Sequence, residues 1–192
     1  MFTSKLLLYG FGLASAVLLT ALTVACQKSA APAGEGSADE NGAPRDPSKI
    51  LPLGVEAPDF TATTDEGATV VLADLRGKQN VVLIFYPGNE TPGCTTQLCT
   101  ARDDWSAYQK NDVAVFGVNP ASVASHAAFR KNHNFPFPLI SDGDGQLVRS
   151  YGSRGIGGLV TRTVYGIGRE GKVVFAERGM PATERILAAF SN

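Results

Sequence analysis

Apolar residues form one long run at the front of the chain and, from residue 51 onward, short runs separated by polar, Gly- and Pro-containing stretches. Strand-like and helix-like periods alternate over residues 51–192. Short runs rich in Val, Ile, Tyr and Thr predict strands over residues 59–63, 69–72, 81–86 and 113–118, and a pair of strands over 162–167 and 172–177. Apolar positions spaced three and four apart predict helices over 95–109, 121–132, 146–151 and 182–190. Asn119-Pro120 supplies a cap-like residue and a proline where the second of these helices begins. Strands interleaved with helices predict one α/β domain over residues 51–192, a central mixed sheet flanked by helices.

The front run has a different logic. A single early positive charge, Lys5, is followed by apolar residues from Leu6 to Ala25, the layout of a bacterial secretory signal. At about 1.5 Å of rise per residue, such a run would also span about 30 Å of hydrocarbon as a retained transmembrane anchor. Its ending, Leu22-Thr23-Val24-Ala25-Cys26, resembles a lipobox, with Thr23 where Leu is usual. The expectation is therefore a signal peptide over 1–25 and a lipidated Cys26. Either reading holds the domain at a membrane of the bacterial cell envelope, outside the cytoplasm. Residues 26–50 are small, polar, Gly and Pro residues with no apolar periodicity, and read as a flexible linker.

A net charge of -1 lacks the basic excess of nucleic-acid binders, so no nucleic acid is expected as a partner. Several motifs have plain readings. "GIGREG" at 166–171 matches a dinucleotide fingerprint but joins two strand-like segments, so it reads as a hairpin turn. "SDGDGQ" carries Asp142 and Asp144 as a calcium loop would, yet Ser153 stands where the bidentate glutamate belongs, so this too reads as a turn. Asn89-Glu90-Thr91 fits a glycosylation acceptor by chance. His126 and His133, even with Cys94 and Cys99, lack the spacing of a zinc site and read as a surface residue and a helix-end residue. No cofactor or metal is expected.

The stretch "FYPGNETPGCTTQLC", residues 85–99, sets two of the three cysteines five positions apart behind a buried strand. Two ordinary buried thiols would be the plain reading. Cys94, however, falls where a loop becomes a helix, and backbone N–H groups and the helix dipole stabilise a thiolate there. Pro87, Gly88, Pro92 and Gly93 shape the loop without long side chains, and Thr91 can offer a hydroxyl toward the sulfur.

This stretch resembles the peroxiredoxin signature P-x-x-x-T-x-x-C, matched by Pro87, Thr91 and Cys94. "TPGCTTQLC" is similar to the Q-type peroxiredoxins, also called bacterioferritin-comigratory proteins, in which a second cysteine lies five residues on. "FGVNPASVASHAAFRKNHNFPFPLISD" and "TRTVYGIGREGKV" resemble further segments of that family, so the likeness covers residues 51–190. Ala101, Val164 and Gly168 depart from the usual Phe, Thr and Asp.

The resemblance implies a thioredoxin-like fold and a thiol peroxidase acting on hydrogen peroxide or organic hydroperoxides. Cys94 would be peroxidatic and Cys99 resolving. Thr91, the Cys94 backbone N–H and the guanidinium of Arg162 would stabilise charge moving from sulfur to the leaving oxygen. A Cys94 sulfenic acid would condense with Cys99 to a disulfide, which an external thioredoxin-like dithiol would reduce. A redox sensor or thiol–disulfide relay using the same pair is the alternative, although no C-x-x-C is present; a binding module that has lost its chemistry is a third. On one intact helix, residues five apart have Cα atoms roughly 8.7 Å apart. A disulfide needs less than about 7 Å, so if both cysteines lie on the helix beginning near Thr95, its first turns must unwind before Cys94 and Cys99 can bond.

Overall fold

The structure is a computed structural model, described here for residues 46–191. The expected signal segment 1–25, Cys26 and the linker up to residue 45 lie outside the described residues. In chain order the elements are β1 Thr61–Thr64, β2 Thr69–Val71, α1 Leu72–Leu75, β3 Asn80–Phe85, α2 Pro92–Asp103, α3 Trp105–Lys110, β4 Val113–Asn119, α4 Val123–His133, β5 Leu139–Ser141, α5 Gln146–Ser150, β6 Thr163–Ile167, β7 Val173–Arg178 and α6 Thr183–Ala188. Single turns of 3-10 helix at Ile156–Gly158 and Ala189–Ser191 complete them.

The strands form one seven-stranded mixed sheet in the order β2-β1-β5-β4-β3-β6-β7. Its centre is parallel, β3 with β4 and β4 with β5, while β6 joins β3 antiparallel. Strand β3 reads as a continuous apolar run because helices cover both faces of the sheet, as is usual where central strands are parallel. Val81, Leu83 and Phe85 enter one core with Leu72, Leu147 and Tyr151. Val82, Ile84 and Tyr86, alternating with them, enter the other with Cys94, Leu98, Tyr108, Phe129 and Ile186. A fully buried side chain such as Leu98 contributes about 1.5–3 kcal/mol, which anchors α2 on the second face.

The expected α/β architecture stands, with local corrections. The helix expected over 95–109 starts three residues earlier and bends at Asp104 (φ -89°, ψ 11°) into α2 and α3. Leu98, Ala101, Trp105 and Tyr108 keep helical spacing across the bend, so periodicity reads straight through it. Pro92 suits the first helical turn because its missing N–H has no partner to lose and its φ is already helical. Helix α4 is capped by Ser122, whose Oγ accepts from the Ser125 N–H, and not by Asn119. Asn119 Oδ1 instead accepts from the Ala121 N–H at 2.6 Å. Leu72 opens α1 and does not end β2, and β5, three residues behind Pro136 and Pro138, carried too little pattern to be predicted.

The turn readings hold. GIGREG closes the β6–β7 hairpin, with the Gly171 N–H donating to the Gly168 carbonyl at 2.8 Å. The Asp142 carboxylate accepts from the Leu147 and Val148 N–H groups at 3.0 and 2.8 Å, binding the SDGDGQ turn to α5. Among the described residues no helix is long and apolar enough to cross a membrane.

Candidate active site

Strand β3 is buried from Val81 to Phe85 and delivers the chain, through Tyr86, to the loop 87–91, where Pro87 and Thr91 are exposed. Thr91 is extended and Pro92 begins α2, so Cys94 falls in the first turn, among N–H groups without helical acceptors. Its sulfur is fully buried. Cys94 lies in the second core with residues of β3 and β6, and the cation that meets it comes from the residue just before β6.

That cation is Arg162. Phe85 pairs with Thr163 across β3 and β6, so Arg162 stands just beyond the last pair, at the level where β3 turns into the loop. Its Nη2 donates to Cys94 Sγ at 3.3 Å, and its Nη1 donates to Gln97 Oε1 at 2.6 Å. Gln97 in turn donates through Nε2 to the Gly179 carbonyl at 3.3 Å, which fixes the amide and hence the guanidinium. Gly93 leaves the path open: a Cβ there would lie 3.1 Å from Arg162 Nη2. The guanidinium and the N–H groups of the helix start both direct positive charge toward the sulfur.

Thr91 departs from expectation. Its hydroxyl donates to the Gly88 carbonyl at 3.2 Å and not toward the sulfur, and its own carbonyl accepts from the Thr95 N–H at 2.9 Å. With its proton engaged in the loop, the Thr91 oxygen faces any incoming group as an acceptor.

Cys99 lies on the same unbroken α2, partly buried against the second core, and both thiols are free. The two cysteines thus share one helix, the case in which residues five apart stand too far from each other to bond.

Behind the loop is a polar cluster that sequence reasoning missed. His126, expected on the surface, is completely buried. Its Nε2 faces the Asn119 carbonyl at 3.4 Å, and its Nδ1 lies 3.2 Å from the Tyr86 hydroxyl. Tyr86 donates to Asn89 Oδ1 at 2.9 Å, and Asn119 Nδ2 donates to the same oxygen at 2.9 Å. Burial pushes His126 below its ordinary value, and burial together with the nearby Cys94 charge pushes Tyr86 far above its own. His126 is therefore neutral, and Tyr86 keeps its proton. Gln97 was also missed; its place three residues after Cys94, on the same helix face, was the only available signal.

A cavity of about 220 Å³ adjoins Gln97, lined also by Ile84, Thr100, Ala101, Val164 and Met180. Two of these residues, Ala101 and Val164, are positions where the chain departs from the family it resembles.

Comparison with known proteins agrees with this geometry. The model of the AhpC/TSA family matches residues 53–176. Peroxiredoxin Bcp of Bacillus subtilis is 32% identical over 151 residues, covering 74% of this chain and 94% of that protein. The chloroplastic peroxiredoxin Q of Triticum aestivum is 40% identical over 120 residues, 62% of this chain and 55% of the relative. Among solved structures, the bacterioferritin comigratory protein of Xanthomonas campestris, described for its alkyl peroxide reduction activity, superposes with a TM-score of 0.66 at 28% identity, covering 73% of this chain and 98% of that one.

Proposed function

The chain belongs to the AhpC/TSA family as a peroxiredoxin of the Bcp/Q kind, a thiol peroxidase on a thioredoxin-like fold, and from that premise we propose that Cys94 is its peroxidatic and Cys99 its resolving cysteine, in an enzyme held at a membrane of the cell envelope. The observation that carries the assignment is the Arg162 guanidinium 3.3 Å from a sulfur in the first turn of a helix.

In the first step the Cys94 thiolate attacks one oxygen of the peroxide. The S–O bond forms as the O–O bond breaks, and the electron pair leaves on the distal oxygen, which takes a proton to become water or an alcohol. Thr91, already donating to Gly88, accepts the hydrogen of the peroxide and orients it. Arg162 and the free N–H groups of the first turn stabilise negative charge as it moves from sulfur to oxygen. A site whose donors are held in place before reaction loses little to reorganisation, and the Gly179–Gln97–Arg162 chain supplies that fixing.

In the second step the Cys99 thiolate attacks the Cys94 sulfur. An S–S bond forms, the S–O bond breaks, and hydroxide leaves as water after taking a proton. A thioredoxin-like dithiol then reduces the disulfide by exchange.

The test is peroxide turnover by the purified chain with a dithiol reductant. Cys94→Ser is expected to abolish consumption, because the alcohol is un-ionised at neutral pH. Cys99→Ser is expected to keep one turnover and lose the steady state. Normal turnover by Cys94→Ser, or loss of the first turnover in Cys99→Ser, would reverse the assignment.

A further inference from the structure

The segment that holds both cysteines is tied at its two ends to one residue, His133, at the end of α4. At the front, Glu90 accepts from His133 Nε2 at 2.9 Å through Oε2 and from Asn132 Nδ2 at 2.9 Å through Oε1. At the back, Arg102, three residues past Cys99, donates through Nη1 to the His133 carbonyl at 2.8 Å. His133 is itself immobilised: its ring stacks on Phe135, with centroids 5.5 Å apart, and meets Phe129 edge-on at 5.0 Å. Phe129 and Phe135 are both buried in the second core. Glu90 has φ 56°, a left-handed conformation that side chains other than glycine rarely adopt and that persists only where surrounding contacts impose it. The bonds from His133 and Asn132 are such contacts, and they hold the Glu90 carboxyl below the usual carboxylate range.

We propose that Glu90, Arg102 and His133 form a two-ended clip that holds the 90–102 segment in its helical form and so sets the rate at which Cys94 and Cys99 join. The proposal rests on the peroxidase cycle given above, in which α2 must unwind before the disulfide can form. Attack on peroxide uses the intact helix; disulfide formation uses the unwound one. A contact present only in the intact form lowers the population of the unwound form by the factor that the contact is worth, and leaves the first step alone. Glu90 and His133 are thus positioning residues that act through the backbone of α2, as Arg102 does through the His133 carbonyl, although its charge also lies near Cys99. The clip also lengthens the life of the Cys94 sulfenic acid. During that time a second peroxide can add an oxygen to the same sulfur, giving a sulfinic acid and a molecule of water or alcohol. A tight clip therefore makes the enzyme more easily inactivated by its own substrate, and a loose one protects it.

The experiment is rapid mixing of the reduced full-length chain with hydrogen peroxide, followed by the fluorescence of Trp105, the single tryptophan, which opens α3 and packs in the same core as Cys99. Mass spectrometry of Cys94 after graded peroxide supplies the second readout. Glu90→Gln and Arg102→Gln are each expected to speed the second, disulfide-forming phase about two- to fivefold, the effect of weakening one partly exposed hydrogen bond. The peroxide concentration that converts half of Cys94 to sulfinic acid should rise by the same factor, and the first phase should not change. A second phase and sulfinic midpoint at parental values in either variant, with the disulfide forming normally, overturns the clip and leaves the cycle standing. If the parent chain forms no Cys94–Cys99 disulfide at all, the cycle fails and takes the clip with it. A merely structural role would change thermal stability without moving the ratio of the two phases, and that result also overturns the proposal.

Discussion

Arg162 is held to Cys94 by a neighbour as much as by its own charge. Gln97 accepts from one guanidinium nitrogen while the other meets the sulfur, so losing either residue should slow the attack on peroxide, by different amounts. Arg162→Met removes a charged donor aimed at the reacting atoms and is expected to slow the first phase about 10²- to 10³-fold. Gln97→Leu keeps the charge and frees its direction, so a loss of roughly tenfold is expected; equal losses would show that Gln97 does more than brace the guanidinium. His126 makes a different prediction. Burial lowers its proton affinity in the folded state, outweighing the bond to the Asn119 carbonyl and the charge of Asp65, while the unfolded chain titrates near the ordinary 6.5. Below that pH the unfolded state binds the extra proton and the native state resists it, so stability is full above about pH 6.5 and declines as pH falls through it. Urea midpoints at pH 7.5 and 5.5 should differ less in His126→Gln than in the parent; an equal difference would place the pH dependence elsewhere.

Helix α2 has two tasks that conflict. Its first turn, opened by Pro92, presents N–H groups to Cys94, and its continuity through Cys99 keeps the two sulfurs apart. Thr95, Thr96 and Thr100 are weak helix formers, and the Thr96 and Thr100 hydroxyls donate back to the Pro92 and Thr96 carbonyls, a pattern that slightly destabilises a helix. Reduced and oxidised proteins are therefore expected to differ in amide exchange over residues 92–100, with faster exchange after oxidation and little change in β3 or β4. Equal protection in both forms, with the disulfide established by mass, would mean that the pair closes without unwinding. The apolar residues Ala101, Trp105 and Tyr108, beyond that segment, pack in the second core.

For the whole molecule, the expected lipid anchor at Cys26 and the Gly- and Pro-rich linker behind it would confine peroxide removal to a membrane surface. Cys26→Ser is expected to release the chain from the membrane fraction or leave a larger, unprocessed precursor, because a lipobox cysteine is both cleavage signal and acyl acceptor. Membrane retention at the mature size would instead favour a transmembrane anchor, which does not depend on that thiol. The sheet gives the site its permanence at this scale. β3 leads into the loop, Arg162 immediately precedes β6, and the pairing of Phe85 with Thr163 fixes one against the other.

The α/β class, the strand-to-helix position of Cys94 and the shared helix of both cysteines were legible in the chain because each is local. They depend on the period of the apolar residues, on Pro92 and Gly93, and on a spacing of five. Family likeness extended this reach to Arg162, which lies 68 residues from Cys94 and has no local signal of its own. What only the tertiary structure decided are the partnerships between distant polar groups. The bracing of Arg162 by Gln97 depends on the register of β6, and the burial of His126 on α4 being capped at Ser122 and laid against Tyr86. A histidine among alanines and serines reads as exposed from its neighbours in sequence. It is buried beside a carbonyl and a hydroxyl brought from other elements, and that setting has no trace in the pattern of apolar and polar residues. The ties from His133 to Glu90 and Arg102 are of the same kind, since they join residues 43 and 31 positions apart that only the packing of α4 beside α2 brings together.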